Sequence, residues 1–259
     1  MNSLAVENGK YETGENRSTW CGRLFPSLVC YARMTPIVFG ASRKARLGTY
    51  THREWENSSL AIIAAFESVG ASFQVSGIEN IAAQEGPCVF VGNHMSTLET
   101  FALPSFILPH KKTTFVIKRS LVEYPVFKHV MRFCDPIVVG RTNPREDFKI
   151  VMSEGEKRLQ DAISVVVFPQ TTRSTVFDPA NFNTIGIKLA KRAGVPVIPV
   201  AIKTDAWGNG KWVKEFGPID PGKKIHIAFG TSMTIASKGQ EEHGAVLSFI
   251  EKHLHEWQT

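Results

Sequence analysis

The chain has 259 residues, 43% hydrophobic, 10% aromatic and 21% charged, enough for one large core or a core with an accessory lobe, which excludes disorder as the dominant state. A formal net charge of +6 and an isoelectric point near 9.2 favour polyanionic company: phosphate esters, coenzyme A, anionic headgroups or nucleic acid. Cys21, Cys30, Cys88 and Cys134 are widely spaced, form no CxxC pair and mostly neighbour apolar residues, so they read as reduced thiols used as small hydrophobes.

Residues 1–18 carry acids but no apolar run and no secretory signal, and are expected as a flexible tail. Residues 19–70 are predicted as a helical arm. Within it, Leu24 to Gly40 holds Phe25, Leu28, Val29, Tyr31, Met34, Ile37, Val38 and Phe39, interrupted by Pro26, Arg33 and Pro36 and followed by Arg43, Lys44 and Arg46. No apolar stretch reaches the roughly 18 to 20 residues a bilayer crossing needs. An aromatic, aliphatic segment with a basic flank suits an interfacial helix instead; the alternative is an arm packed on the main domain. Tyr50 to Gly70 adds a helix with Leu60, Ile63, Ala64 and Phe66 on its apolar side.

Residues 71–259 read as one α/β domain. Short β-rich runs at Phe73–Val75, Cys88–Gly92, Thr114–Ile117, Ile137–Val139, Val165–Phe168, Val197–Ile202 and Ile225–Phe229 alternate with helical patterns at Ser96–Leu108, Ser120–Phe133, Pro144–Ala162, Thr184–Ala193 and Glu241–Trp257. Such alternation predicts a mostly parallel sheet flanked by helices, with function at the C-terminal ends of its strands.

Two such ends carry chemistry. After Cys88-Val89-Phe90-Val91 come Asn93, His94 and, five positions beyond the histidine, Glu99. Five residues on a regular helix turn side chains about 140° apart, so His94 belongs in the turn before a helix and Glu99 inside it, with Ser96 as a candidate N-cap. A carboxylate holding one ring nitrogen leaves the other to take a proton. After Val165-Val166-Val167 come Phe168-Pro169-Gln170-Thr171-Thr172-Arg173-Ser174, whose amide, hydroxyls and guanidinium offer donors to an anionic oxygen. Lys118 and Arg141 sit at the ends of two further strands, where two cations together suit a shared anion; solvated surface charges are the alternative.

In order and spacing these blocks resemble the glycerolipid acyltransferases typified by 1-acylglycerol-3-phosphate acyltransferase. Asn93 to Glu99 is similar to the family's N-H-x-x-x-x-D, and Lys118, Leu121, Lys128 and Arg141 fall at the spacing of its K-x2-L-x6-G-x12-R. Phe168 to Ser174 resembles F-P-E-G-T-R-S, and Val195-Pro196-Val197-Ile198-Pro199-Val200 matches V-P-V-I-P-V. The phrase Val75 to Asn80 also looks like the family's lead-in, so the likeness covers Phe73 to Phe229.

The resemblance implies that His94 is a general base oriented by Glu99, and that Lys118, Arg141, Gln170, Thr171, Thr172 and Arg173 bind an acceptor's phosphate. It further implies acyl-CoA or acyl carrier protein as donor, phosphatidic acid as product, no metal or other cofactor, and an amino-terminal arm seated in one leaflet at the cytoplasmic face of a membrane, monotopic or peripheral. Acylation of another lysolipid, such as an aminolipid, and a non-catalytic lipid-binding role are the alternatives. Three departures stand out: Glu99 for Asp, Gln170-Thr171 for Glu-Gly, and Lys128 for Gly. The last two raise the local positive charge and lead to the expectation of a more anionic or differently shaped acceptor than simple lysophosphatidic acid. His110, His129, His226, His243, His253 and His255 read as surface or helix-end residues. Trp207 and Trp212 with Lys203, Lys211 and Lys214 read as a loop touching membrane or donor rather than nucleic acid.

Overall fold

The computed structural model describes residues 5–14, 18–124, 127–170, 172–210 and 216–258. Strands β1 (Tyr11–Glu12), β2 (Phe73–Ser76), β3 (Val89–Gly92), β4 (Thr113–Lys118), β5 (Ile137–Val139), β6 (Ser164–Val167), β7 (Val197–Lys203) and β8 (Ile225–Phe229) form one sheet in the order β1-β2-β8-β7-β3-β6-β4-β5. The five strands from β7 to β5 are mutually parallel, while β8 runs antiparallel to β7 and β1 antiparallel to β2. The sheet is therefore mixed but mostly parallel, with helices on both faces. Its central strands are buried throughout, as continuous runs such as Val89-Phe90-Val91 and Ser164-Val165-Val166-Val167 require.

One face is covered by α2 (Pro26–Arg46), α3 (His52–Glu67) and α5 (Leu98–Ile107), the other by α8 (Pro144–Gln160), α9 (Ile185–Ala193) and α10 (Gln240–Glu256). Phe66, Phe73, Phe90, Leu103, Phe106 and Ile107 fill the first layer, and Val91, Val165, Val197, Leu189, Ala190, Val246 and Ile250 the second. Full burial of a Val, Ile or Phe contributes about 1.5–3 kcal/mol over exposure, which fixes which side of each strand faces which layer. Helix α9 comes close to β3 because Gly186 has no side chain: a Cβ there would lie 2.6 Å from Val91 Cγ2.

Two expectations are corrected. Part of the expected tail belongs to the sheet: Tyr11 is buried, β1 pairs with β2, and the Tyr11 hydroxyl donates to Glu67, as does Thr13 Oγ1 at 2.8 Å. A buried carboxylate is costly unless donors surround it, and the Tyr-x-Thr spacing delivers two. The expected helix from Ser120 to Phe133 is instead two short ones, α6 (Arg119–Glu123) and α7 (Lys128–Phe133). Tyr124, which precedes Pro125 in sequence, is extended with φ −65° and ψ 122°, the conformation favoured before a proline. Helix α2 starts on Pro26 but runs straight through Pro36.

The arm is joined to the core by specific bonds. Tyr31 donates through its hydroxyl to Gly217 O at 2.6 Å and accepts from Trp207 Nε1 at 3.0 Å, and Ser27 Oγ accepts from Ile219 N at 2.9 Å. Trp207 is thus buried among Phe66, Phe101 and Tyr31, a correction to its reading as a surface loop residue; Lys211, Trp212 and Lys214 lie outside the described residues. Elsewhere along the arm, Trp20, Leu24, Phe25, Leu28 and Phe39 stay exposed, Trp20 by 76% and Leu28 by 70%. Among the described residues no helix is long and apolar enough to cross a membrane.

Candidate active site

Five parallel strands end on one edge of the sheet, and each passes a site residue to it. After β7 comes Thr204, after β3 Asn93 and His94, after β6 the segment Phe168–Ser174, at the end of β4 Lys118, and after β5 Gly140 and Arg141. Asn93 sets the level of the histidine. Its side-chain amide donates to Ile202 O at 2.7 Å and its carbonyl oxygen accepts from Ile202 N at 2.9 Å, extending the β3–β7 pairing by a side chain where the backbone turns away.

Nδ1 of His94 lies 2.8 Å from Glu99 Oε1. The ring stacks on Phe168 with centroids 4.6 Å apart and an angle of 8° between planes, so the imidazole is held both at its edge and on its face. His94 is placed in the turn before α5 and Glu99 in its first turn, as the spacing predicts. The cap differs by one residue. Thr97 occupies the N-cap position, while Ser96 Oγ accepts from Leu98 N at 3.0 Å.

Glu99 is fully buried. Its Oε1 accepts from Met95 N at 2.7 Å and Ser96 N at 2.9 Å as well as from His94; its Oε2 accepts from Thr204 Oγ1 at 2.6 Å, with Ser96 Oγ 3.0 Å away. Burial pushes its carboxyl upward, but the hydrogen bonds and charge of His94 and the bond from Thr204 prevail, and it is held below the usual glutamate value. An ionised carboxylate has no proton to give, so whenever the ring is neutral Nδ1 is the donor to Glu99 and Nε2 the acceptor. Among the described residues nothing hydrogen-bonds Nε2. That nitrogen is the one free to take a proton.

The loop after β6 grips the histidine's backbone from both sides. Gln170 Oε1 accepts from His94 N at 2.6 Å and Ser174 N donates to His94 O at 2.9 Å. Gln170, expected among the substrate-binding groups, is buried with its oxygen on the histidine main chain. Its oxygen thus serves the turn that carries the histidine. Thr171 lies outside the described residues, and Thr172 is exposed beside the site.

Arg173 Nη1 donates to the Thr97 hydroxyl, one residue from Ser96. Arg141 adopts φ +59°, a left-handed conformation that non-glycine residues rarely take. Asp147, in the first turn of α8, holds it there by accepting from Gly140 N and Arg141 N, both at 2.8 Å. Partial desolvation draws the Arg141 guanidinium below its ordinary value against the pull of Asp147, and the like charge of Arg173 adds to it, which places the two guanidiniums within electrostatic reach. Lys118 is exposed and comes to this edge by register, opposite Val139. The structure therefore assembles His94 and Glu99 in contact, links Arg173 to their turn, and brings Lys118 and Arg141 to the same edge of the sheet on the strands beyond β6.

Sequence reasoning missed Asn93 as an anchor, Phe168 as a stacking platform and Thr204 as a partner of Glu99. Of these Asn93, adjacent to the histidine, and Phe168, which opens the block after β6, left a signal in the sequence, and Thr204 left none. Among the described residues no three His, Cys, Asp or Glu side chains gather as a metal site. His226, expected at the surface, is instead buried against Trp257, with centroids 5.0 Å apart.

Comparison with known proteins bears on this edge of the sheet. The chain is 35% identical over 171 residues to the 1-acyl-sn-glycerol-3-phosphate acyltransferase of Pseudomonas aeruginosa, covering 66% of this chain and 62% of that protein. It is 28% identical over 137 residues to a chloroplastic 1-acyl-sn-glycerol-3-phosphate acyltransferase of Brassica napus, covering 53% and 38%. The chain thus spans less than two thirds of the length of either relative. A crystal structure of the 1-acyl-sn-glycerophosphate (LPA) acyltransferase PlsC from Thermotoga maritima superposes with a TM-score of 0.68 over 92% of this chain and 96% of that one, at 20% identity, and so shares the fold. The family model described as Acyltransferase matches residues 72–203, just over half of the sequence and the part of the strand edge from Asn93 to Arg173, and the chain belongs to the acyltransferase family.

Proposed function

We propose that the protein moves a fatty acyl group from a thioester, acyl-CoA or acyl carrier protein, to the free hydroxyl of a lysophospholipid, with 1-acylglycerol-3-phosphate as acceptor and phosphatidic acid as product. The observation that carries this is the contact of His94 Nδ1 with buried, ionised Glu99, which leaves Nε2 as a base. In the reaction Nε2 removes the hydroxyl proton as the oxygen attacks the thioester carbonyl; the C–S bond then breaks, and the leaving thiolate takes the proton back from the imidazolium. The thioester is already activated, so no acyl-enzyme is needed, and base catalysis supplies about 10² to 10⁴-fold. Arg173, Arg141, Lys118 and Thr172 meet the acceptor's phosphate, and the names of the relatives favour that acceptor.

The arm, residues 19–70, holds the enzyme on a bilayer at its cytoplasmic face, with Trp20, Leu24, Phe25 and Leu28 in the acyl region and residues 71–259 as the catalytic domain. Release of free thiol from acyl-CoA or acyl carrier protein, with products identified by mass spectrometry from a mixed lysolipid panel on vesicles, tests the reading. Phosphatidic acid formation is expected; acylation only of a lysolipid without phosphate, or no thiol release with any acceptor, refutes it. Flotation with vesicles tests the arm, since Leu28→Ser and Phe25→Ser together should weaken binding and a core substitution should not.

A further inference from the structure

Thr204 is buried at 0% exposure, directly after β7, and lies 105 residues along the chain from Glu99. Its hydroxyl oxygen sits 2.6 Å from Glu99 Oε2 and 3.0 Å from Ser96 Oγ. Ser96 Oγ in turn accepts from Leu98 N at 3.0 Å. A threonine hydroxyl has one proton, and the shortest of these bonds assigns it to the carboxylate. The serine proton then goes to Glu99 Oε2 or to Thr204 Oγ1. The two oxygens of Glu99 are held differently: Oε1 accepts from the turn that carries the histidine, while Oε2 accepts from Ser96 N at 3.1 Å in that turn and, by its shortest bond, from Thr204 just beyond β7.

We propose that Thr204 is a positioning residue for the acyl transfer, holding the Glu99 carboxylate so that Oε1 meets His94 Nδ1 and the histidine keeps Nε2 as its proton acceptor. Glutamate has one more rotatable bond than aspartate, and a carboxylate on the longer arm can swing about its terminal torsion. A bond from a separate strand removes that freedom without touching the substrate. This role deepens the acyltransfer reading and rests on it for the kinetics alone; the effect on the histidine's protonation stands by itself.

The test compares Thr204→Val, which keeps the shape and removes the donor, with Thr204→Ser, which keeps the donor. In kinetics with acyl-CoA and 1-acylglycerol-3-phosphate, Thr204→Val is expected to lower kcat by about 10- to 100-fold, within the range base catalysis supplies, with both KM values unchanged, and Thr204→Ser to restore most of the rate. In parallel, long-range ¹H–¹⁵N spectra of histidine-labelled protein at about pH 8, where an unperturbed imidazole is neutral, report which ring nitrogen of His94 carries the proton, His94→Asn supplying the assignment. The wild type and Thr204→Ser should show it on Nδ1, and Thr204→Val should show Nε2–H gaining population.

Should Thr204→Val fold poorly, Thr204→Ala gives the same readout with the crowding of the methyl relieved. A valine or alanine variant that keeps both the Nδ1 proton and the wild-type kcat overturns the role. A tautomer change in a protein that acylates no lysolipid supports the role of Thr204 and defeats the acyltransferase reading instead.

Discussion

The two ends of the site are built in opposite ways. At the proton-handling end, Glu99 is fully buried with donors from the backbone of Met95 and Ser96, from Thr204 and from His94, whose ring is stacked on Phe168. At the cation end, Lys118 and Arg141 are exposed and Arg173 is half-buried; register places the Lys118 backbone, Asp147 holds that of Arg141, and the Arg173 guanidinium donates to Thr97. The contrast teaches which half is organised in advance. Buried electrostatics are strong and cost no reorganisation at the moment of reaction, whereas exposed cations are screened by salt and gain strength when a bound headgroup displaces water around them. The first end should govern turnover and the second acceptor affinity.

The sharpest way to break that division is at the histidine. His94→Ala should lower kcat by about 100-fold or more while leaving the acceptor KM within a few-fold of wild type; thiol-release kinetics measure it, and a large rise in KM at unchanged kcat would erase the distinction between the two ends. Arginine replacement should do the reverse. Arg173→Ala is expected to raise the acceptor KM by about 10- to 100-fold and Arg141→Ala by about tenfold, the size of lost charge-assisted hydrogen bonds to a phosphate, with the donor KM unchanged. Lysine at either position should recover only part, because it cannot offer a planar fork. Raising ionic strength should weaken acceptor binding in the wild type more than in the Arg141 variant.

The buried end makes a prediction in pH as well. Glu99 is held below its ordinary value of 4.5 in the folded protein, so folding releases its proton more readily than the unfolded chain does. The sign follows from linkage: the stabilisation is complete above about pH 4.5 and is lost as pH falls through the lower folded value. In thermal melts from pH 6 to pH 3, Glu99→Gln should be less stable than wild type at the upper end, and the gap should narrow below pH 4.5. A gap that stays constant across this range would mean that the carboxylate is not ionised where it is buried.

The difference between the two ends also governs how far each was legible in the sequence. Strands such as Ile137–Val139 and Ile225–Phe229 fall where their β-rich runs put them, since a strand covered on both faces leaves a short, mostly apolar run in the sequence. His94 with Glu99 was legible because both lie within one turn and its helix, where spacing translates into geometry. Thr204 was not, because its partner is brought to it only by the pairing of β7 with β3. The scaffold bond of Gln170 was hidden for a related reason: nothing in the spacing of the loop shows that its side-chain oxygen meets the His94 N–H left over where β3 ends. Tyr11 and Trp207 show the same limit in the core, for their buried partners Glu67 and Tyr31 lie far along the chain.

The smallest expected effect probes the link between backbone strain and the cation end. Arg141 holds φ at +59°, a conformation that costs of order 1 kcal/mol for a residue with a Cβ, and the Asp147 carboxylate offsets this with two bonds to Gly140 N and Arg141 N. Asp147→Asn keeps one acceptor oxygen and turns the other position into a donor facing an N–H, so one of the two bonds must break. The guanidinium remains but its backbone is free to leave the left-handed region, and the expected result is a rise of about two- to fivefold in acceptor KM, smaller than the loss on Arg141→Ala, with kcat unchanged. Replacing Arg141 by Gly in the Asp147→Asn background should add nothing beyond the loss of the arginine, because glycine meets no penalty at positive φ. If Asp147→Asn instead reduced kcat, the cation end would be coupled to the base, and the two halves of the site could no longer be treated as separately built.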